Sequence, residues 1–236
     1  RDISFDVDAG EVVGITGLVG MGQDELPGLL FGAETAKVGT IRVNGVTLRQ
    51  GSPRAAMRAG VGLVPAHRLR DGAVAEASVM ENVTLPTLRD YFRKGRLDHD
   101  GQVSAVGRLT REFAVRPDTP QAIFGRLSGG NQQKALLGKW MALGPRLLIL
   151  HEPAHGVDIG ARREIFHKVL AAAAGDSMAV VIVSSEHNEL AQVASRVLVM
   201  YDGVVHAELS GDHLDEGAIS AACYGHAHDN QSPEAA

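Results

Sequence analysis

The chain has 236 residues, enough for one large α/β domain or a domain with an insert, and its 44% hydrophobic and 22% charged residues are a globular composition. With 23 Lys and Arg against 28 Asp and Glu the net charge is −5, which argues against a nucleic-acid partner. Apolar runs such as Met178–Val183 reach six residues against the ~18 of a membrane span, and the single Cys223 excludes an internal disulfide and suits a reducing compartment.

The chain opens, with no leader-like segment, on the alternating Ile3–Val7, which reads as a strand and as the start of a piece of a longer polypeptide. Val12–Ile15 reads as a buried strand, followed by a glycine-rich turn over Gly17–Gly22 and a helix ending at Gly32. Pro27, about a turn into that helix, is expected to remove a hydrogen bond and weaken it. Asn44-Gly45 predicts a hairpin between Ile41–Val43 and Val46–Leu48. Ser52-Pro53 starts a short helix closed by Gly60, and Val61–Val64 is a further buried strand.

Residues 71–135 change character and predict a mostly helical insert, with a capping box at Ser78–Glu81. Strand–helix alternation then resumes: Leu147–Leu150, a helix over 160–174 closed by Gly175, strand Ala179–Val183, and a helix near 187–194. A hairpin of Arg196–Tyr201 and Val204–Leu209 turns at Asp202-Gly203. The pattern is that of an α/β fold, a largely parallel sheet with helices on both faces. The expected organisation is a core of residues 1–70 and 136–225, a helical subdomain of 71–135, and a disordered tail from 226 to 236.

The stretch Gly17-Leu18-Val19-Gly20-Met21-Gly22-Gln23-Asp24 sits between strand and helix, where backbone N–H groups at a helix N-terminus favour an anion. Both glycines of G-x-x-x-x-G-K-[ST] fall at the right spacing, but Gln23 and Asp24 replace the lysine and the hydroxyl residue. A tight glycine turn is an alternative at this point. A dinucleotide-binding loop is a poorer one, because the pattern is one residue short and no acidic residue ends the next strand.

A second stretch is more specific. Leu127-Ser128-Gly129-Gly130-Asn131-Gln132-Gln133-Lys134 opens a helix running to about Leu143. The strand Leu147–Leu150 follows, then His151-Glu152-Pro153 and Gly156-Val157-Asp158. Together these resemble the signature motif, Walker B segment and D-loop of an ATP-binding-cassette (ABC) transporter ATPase, with order and spacing matching over residues 1–225. With Val64–Arg68 and Arg70-Asp71-Gly72, the chain is most similar to the second cassette of tandem ATPases that drive bacterial ribose- and galactoside-type sugar importers. A phosphate-loop (P-loop) ATPase fold is the implied architecture.

The physical sense of the signature stands independently. Ser128 with Gly129 and Gly130 at a helix N-terminus offers a hydroxyl, close-approaching amides and a positive dipole end. The resemblance implies that Ser128, Gly129, Gly130 and Gln132 act in trans on ATP held by a facing cassette. It also implies ATP and Mg²⁺ as ligands, Glu152 as general base, Asp158 in the D-loop, Ala66 at the Q-loop position and Ser185 at the switch position. Implied partners are a second cassette, membrane-spanning permease subunits and, indirectly, a solute-binding protein, with the chain peripheral on the cytoplasmic side of the membrane.

His151-Glu152-Pro153-Ala154-His155 also matches the zinc-protease pattern H-E-x-x-H, but that motif needs a helix, and here it follows a strand and contains Pro153. No metal ligand is assigned. Within the resemblance, His151 instead replaces the aspartate that helps hold Mg²⁺, and nitrogen is a poor magnesium donor. Gln23, Asp24, Ala66 and His151 together imply that this cassette's own site hydrolyses ATP slowly or not at all. Two further readings stay open: a non-catalytic module for dimerisation and docking, and a soluble ABC ATPase without a membrane partner.

Overall fold

The computed structural model describes residues 3–176 and 178–229. β1 (Val12–Gly17) leads through a 3-10 turn, Gln23–Glu25, into α1 (Leu26–Phe31). The hairpin of β2 (Arg42–Val43) and β3 (Val46–Thr47) precedes α2 (Pro53–Arg58) and β4 (Val61–Val64). The middle of the chain holds α3 (Val79–Thr84), β5 (Phe92–Arg93), β6 (Arg96–Leu97), α4 (His99–Glu112) and α5 (Gly129–Met141). β7 (Leu147–His151), α6 (Ile159–Asp176), β8 (Ala179–Val183) and α7 (His187–Val193) follow. The described chain closes with β9 (Arg196–Tyr201), β10 (Val204–Ser210) and α8 (Glu216–Asp229).

Six strands form one sheet in the order β10-β9-β1-β8-β7-β4, parallel throughout except for the antiparallel edge β10. Its inner strands are near-continuous Val, Ile and Leu runs because both faces are covered. Val13, Ile15, Val181, Val183, Leu198 and Met200 share one buried cluster with Leu26, while Val180, Ile182, Val197 and Val199 pack with Ile165, Val169, Leu190 and Ile219 in the other. The register brings Ile15 beside Val183 and Val183 beside His151. The segments leaving β1, β7 and β8 therefore emerge side by side at the carboxyl edge of the sheet, the usual ligand side of an open α/β fold.

Several expectations are corrected. Ile3–Val7 is not a strand and joins no ladder; β1, which follows it, pairs with β8 on one side and β9 on the other. Its apolar side chains still pack on the cluster around Val13 and Ile15. Pro27 does not break a helix. The α-helix begins only at Leu26, so the proline lies in its first turn, where no intrahelical bond needs its N–H. Gly175 does not close α6, which runs on to Asp176; open space surrounds that glycine and nothing there forces a turn.

The insert carries the unforeseen hairpin β5–β6, turned by Lys94 and Gly95 at positive φ. Helix α5 runs unbroken past residue 135. The tail expected from 226 is helical as far as Asp229, and residues 230–236 lie outside the described residues. The capping box is present as read: Ser78 Oγ accepts from Glu81 N at 3.1 Å, and Glu81 Oε2 accepts from Ser78 N at 2.8 Å. Ser52 does occupy the N-cap of α2, but its side chain makes no capping bond.

Candidate functional site

The Gly17–Asp24 loop leaves the end of β1. A side chain at Gly17 would bring its Cβ within 2.7 Å of the Met200 carbonyl oxygen, so only glycine fits there. Gly20 and Gly22 adopt positive φ values of 87° and 97°. Among the described residues, the backbone N–H groups of Val19, Gly20 and Gly22, outside the 3-10 turn, make no hydrogen bond to another backbone group. Such a row of unbonded amides can receive an anion. Gln23 is buried, and its side-chain amide donates to Gly17 O at 3.3 Å and Leu18 O at 3.1 Å. The residue at the lysine position thus ties the loop to itself.

His151 ends β7 beside this loop, and its Nε2 lies 3.4 Å from Asp24 Oδ1. Glu152 follows in a left-handed conformation, φ 47°. Its carboxylate accepts from Ser185 N at 2.8 Å and from Ser184 Oγ at 3.3 Å. Ser185 therefore serves through its backbone, and the hydroxyl work falls to Ser184. The segment from His151 to His155 is a strand end and a turn, not a helix, so its two histidines do not share a helical face.

The signature lies apart from that loop. Ser128 is the N-cap of α5, and its hydroxyl accepts from Asn131 Nδ2 at 2.8 Å. A Cβ on Gly129 would collide with the Gly156 carbonyl oxygen, and one on Gly130 would lie 2.8 Å from Ala161 Cβ and 3.3 Å from Asp158 Oδ2. Both glycines are thus needed for α5 to approach the D-loop segment. Asp158 Oδ1 accepts from Ala161 N at 3.0 Å, and that bond leads the causes holding its carboxyl below the usual range. Gln132 points inward, with its Nε2 donating to Leu127 O at 3.1 Å. No hydrogen bond or ion pair among the described residues joins Ser128, Gly129 or Gly130 to the Gly17–Asp24 loop.

Ala66 is partly buried just after β4 and offers no polar group. Two residues on, Arg68 Nη1 donates to the His155 carbonyl at 2.6 Å, and Nη2 lies 3.2 Å from where a Gly129 Cβ would stand. Arg68 thus ties the Ala66 segment to the residue before the D-loop and lies beside Gly129, a role without a spacing signal in the sequence. Arg162 similarly pairs with the buried Glu189 at 2.6 Å, connecting α6 to the helix that follows Ser184-Ser185. A cavity of about 330 Å³ between α4, α5 and α6, lined by Phe113, Lys134 and Lys168 among others, shares no residue with the loop.

Hard oxygen donors suit Mg²⁺. The strand end here offers a nitrogen, and that nitrogen contacts the one carboxylate the loop brings to it. The donor set does not fit the ion.

The sheet, the loop at its carboxyl edge and the signature at the start of α5 define an ATP-binding cassette with the P-loop ATPase fold, and the chain belongs to the ABC transporter family, whose model matches residues 1–155. Members of the family bind ATP with Mg²⁺. Among its relatives, a protein of Agrobacterium fabrum named as a ribose/galactose/methyl galactoside import ATP-binding protein is 43% identical over 225 residues, 95% of this chain and 45% of that protein. Ribose import ATP-binding protein RbsA 2 of Streptomyces avermitilis is 40% identical over 96% of this chain and 45% of its own length. The chain spans just under half the length of the curated relatives it matches. In fold it is similar to the ATP-binding cassette MJ0796, solved as a dimer with ADP and Pi, at TM-score 0.77, 18% identity and 89% coverage of both chains. No helix among the described residues is long and apolar enough to cross a membrane.

Proposed function

We propose that this chain is the second cassette of a two-cassette ATPase that drives import of a ribose- or galactoside-type sugar. It works with permease subunits on the cytoplasmic face of the membrane, and a solute-binding protein delivers the sugar. Residues 1–70 and 136–225 form the nucleotide-binding core, and 71–135 the signature-bearing helical subdomain. The names of the import ATP-binding relatives support the transport reading, and their roughly doubled length supports two cassettes per chain.

The observation that carries the mechanism is the placement of Ser128, Gly129 and Gly130: a helix N-terminus packed on its own D-loop, with no bond to its own phosphate loop. Such a clamp completes the ATP site of a facing cassette. Gln23, Asp24, Ala66 and His151 leave the cassette's own site with slow hydrolysis or none, since phosphoryl transfer depends on positioning and charge neutralisation. A reading as a non-catalytic docking module draws on the same four residues, and differs in making the signature idle.

The deciding experiment is Ser128→Arg in the full-length ATPase assembled with its permease. Turnover is expected to fall more than about tenfold, at least ~1.4 kcal/mol of transition-state stabilisation, with folding unchanged. Unchanged turnover in a correctly assembled variant would favour the docking module.

A further inference from the structure

Asp24 and His151 stand where a phosphate-loop ATPase places the two protein groups that hold its divalent cation, a hydroxyl on the loop and a carboxylate at the strand end. Here the carboxylate stands on the loop and a nitrogen base on the strand, and the two face each other at 3.4 Å. His151 keeps 19% of its side-chain surface exposed and Asp24 56%, so the contact spans from the sheet edge to the solvent-facing side of the loop. Gln23 ties the loop to itself from within, through Gly17 O and Leu18 O.

Both substitutions are needed for this arrangement. A carboxylate at 24 opposite another at 151 would repel it without a cation between them, and a histidine opposite a hydroxyl would lose its charged partner. We infer that the Asp24–His151 contact replaces the divalent cation as the bridge between the phosphate loop and β7, so that this site takes up no Mg²⁺ with or without nucleotide. The inference rests on the cassette reading given above and specifies how its own site differs from a hydrolytic one.

A Mg²⁺ ion needs near-octahedral oxygen coordination, commonly from one or two carboxylates with waters and phosphates. The Asp24 carboxylate has a standing partner in His151, and Ala66 supplies no oxygen from its side chain. The Glu152 carboxylate is held by the Ser184 hydroxyl and the Ser185 amide. Asp24 Oδ1 and both Glu152 oxygens thus already have protein partners with which a cation would compete.

Two measurements on the full-length protein test this. The first is hydrogen exchange without nucleotide in EDTA, read on peptides covering 18–26 and 147–155. Asp24→Asn, which keeps the shape and removes the charge, is expected to speed exchange in both peptides at least about fivefold, and no change would overturn the bridge. The second counts Mn²⁺ bound with ATP by electron paramagnetic resonance. The double variant Asp24→Ser/His151→Asp is expected to hold one more ion per chain than the unmodified protein, in samples whose thermal unfolding shows both to be folded. A folded double variant with the same count as the unmodified protein overturns the inference. A rise from none to one supports it, while removing the reading of the facing site as the hydrolytic one.

Discussion

The Ser185 backbone amide donates to the Glu152 carboxylate at 2.8 Å, holding the candidate general base by main chain where the family has a switch side chain. Ser184 Oγ takes the other carboxylate oxygen at 3.3 Å. Both oxygens of the candidate base are thus engaged by the segment that follows β8, and the proposed function makes this base idle.

Glu152→Gln should therefore change ATP turnover of the full assembly by less than about threefold, against the more than tenfold expected for Ser128→Arg. Steady-state ATPase measurements on the two variants in parallel make the comparison. A Glu152→Gln loss as large as that of Ser128→Arg would make this site hydrolytic.

Gly129→Ala should destabilise the fold, because its methyl group would meet the Gly156 carbonyl, which backbone alone can move. A loss of roughly 1–3 kcal/mol is expected from overpacking. Gly20→Ala, in open space, bears only the strain of its positive φ, about 1–2 kcal/mol. Urea unfolding compares them, and the difference should grow for Gly129→Val but not for Gly20→Val through packing.

Lys139 is buried in α5, with Nζ donating to Gly72 O at 2.9 Å and lying 5.4 Å from the Trp140 ring centroid. Burial pushes its pKa down from 10.5 to about 8. Between those values the unfolded chain binds more protons than the folded one, so stability from this group rises with pH, by on the order of 3 kcal/mol across the window. Lys139→Met should lack that rise. Unfolding free energies at pH 7.5 and 10, taken as the difference between the two proteins, check it; a parallel pH dependence would contradict it.

Zinc should not be retained at His151 and His155, since the segment between them is a strand end followed by a turn. Elemental analysis after mild dialysis is expected to give well under one equivalent, unaffected by His155→Ala. A full equivalent lost in that variant would require the turn to rearrange.

The buried strands, the Asn44-Gly45 turn, the Ser78–Glu81 capping box and the signature helix are all legible, because each depends on residues a few positions apart. The loop Gly17–Asp24 was legible as a glycine turn at a helix start for the same reason. The hairpin β5–β6 was not, since Lys94-Gly95 gives a weak turn signal and its ladder is only two residues long per strand. Ile3–Val7 showed the right faces but not its pairing, because alternation reports which side chains are buried and not whether a neighbouring strand has a free edge.

The family and the order of the motifs are written in residue type and spacing, and so are the identities of Gln23, Asp24, Ala66 and His151, on which the proposed departures rest. The folded chain adds that Asp24 and His151, 127 positions apart, face each other, that Arg68 reaches the His155 carbonyl 87 positions on, and that Glu152 is held by Ser184 and Ser185. Those contacts arise from the parallel register, which gathers the ends of β1, β7 and β8 at one edge. No periodicity along the chain records which distant segments such a register brings together.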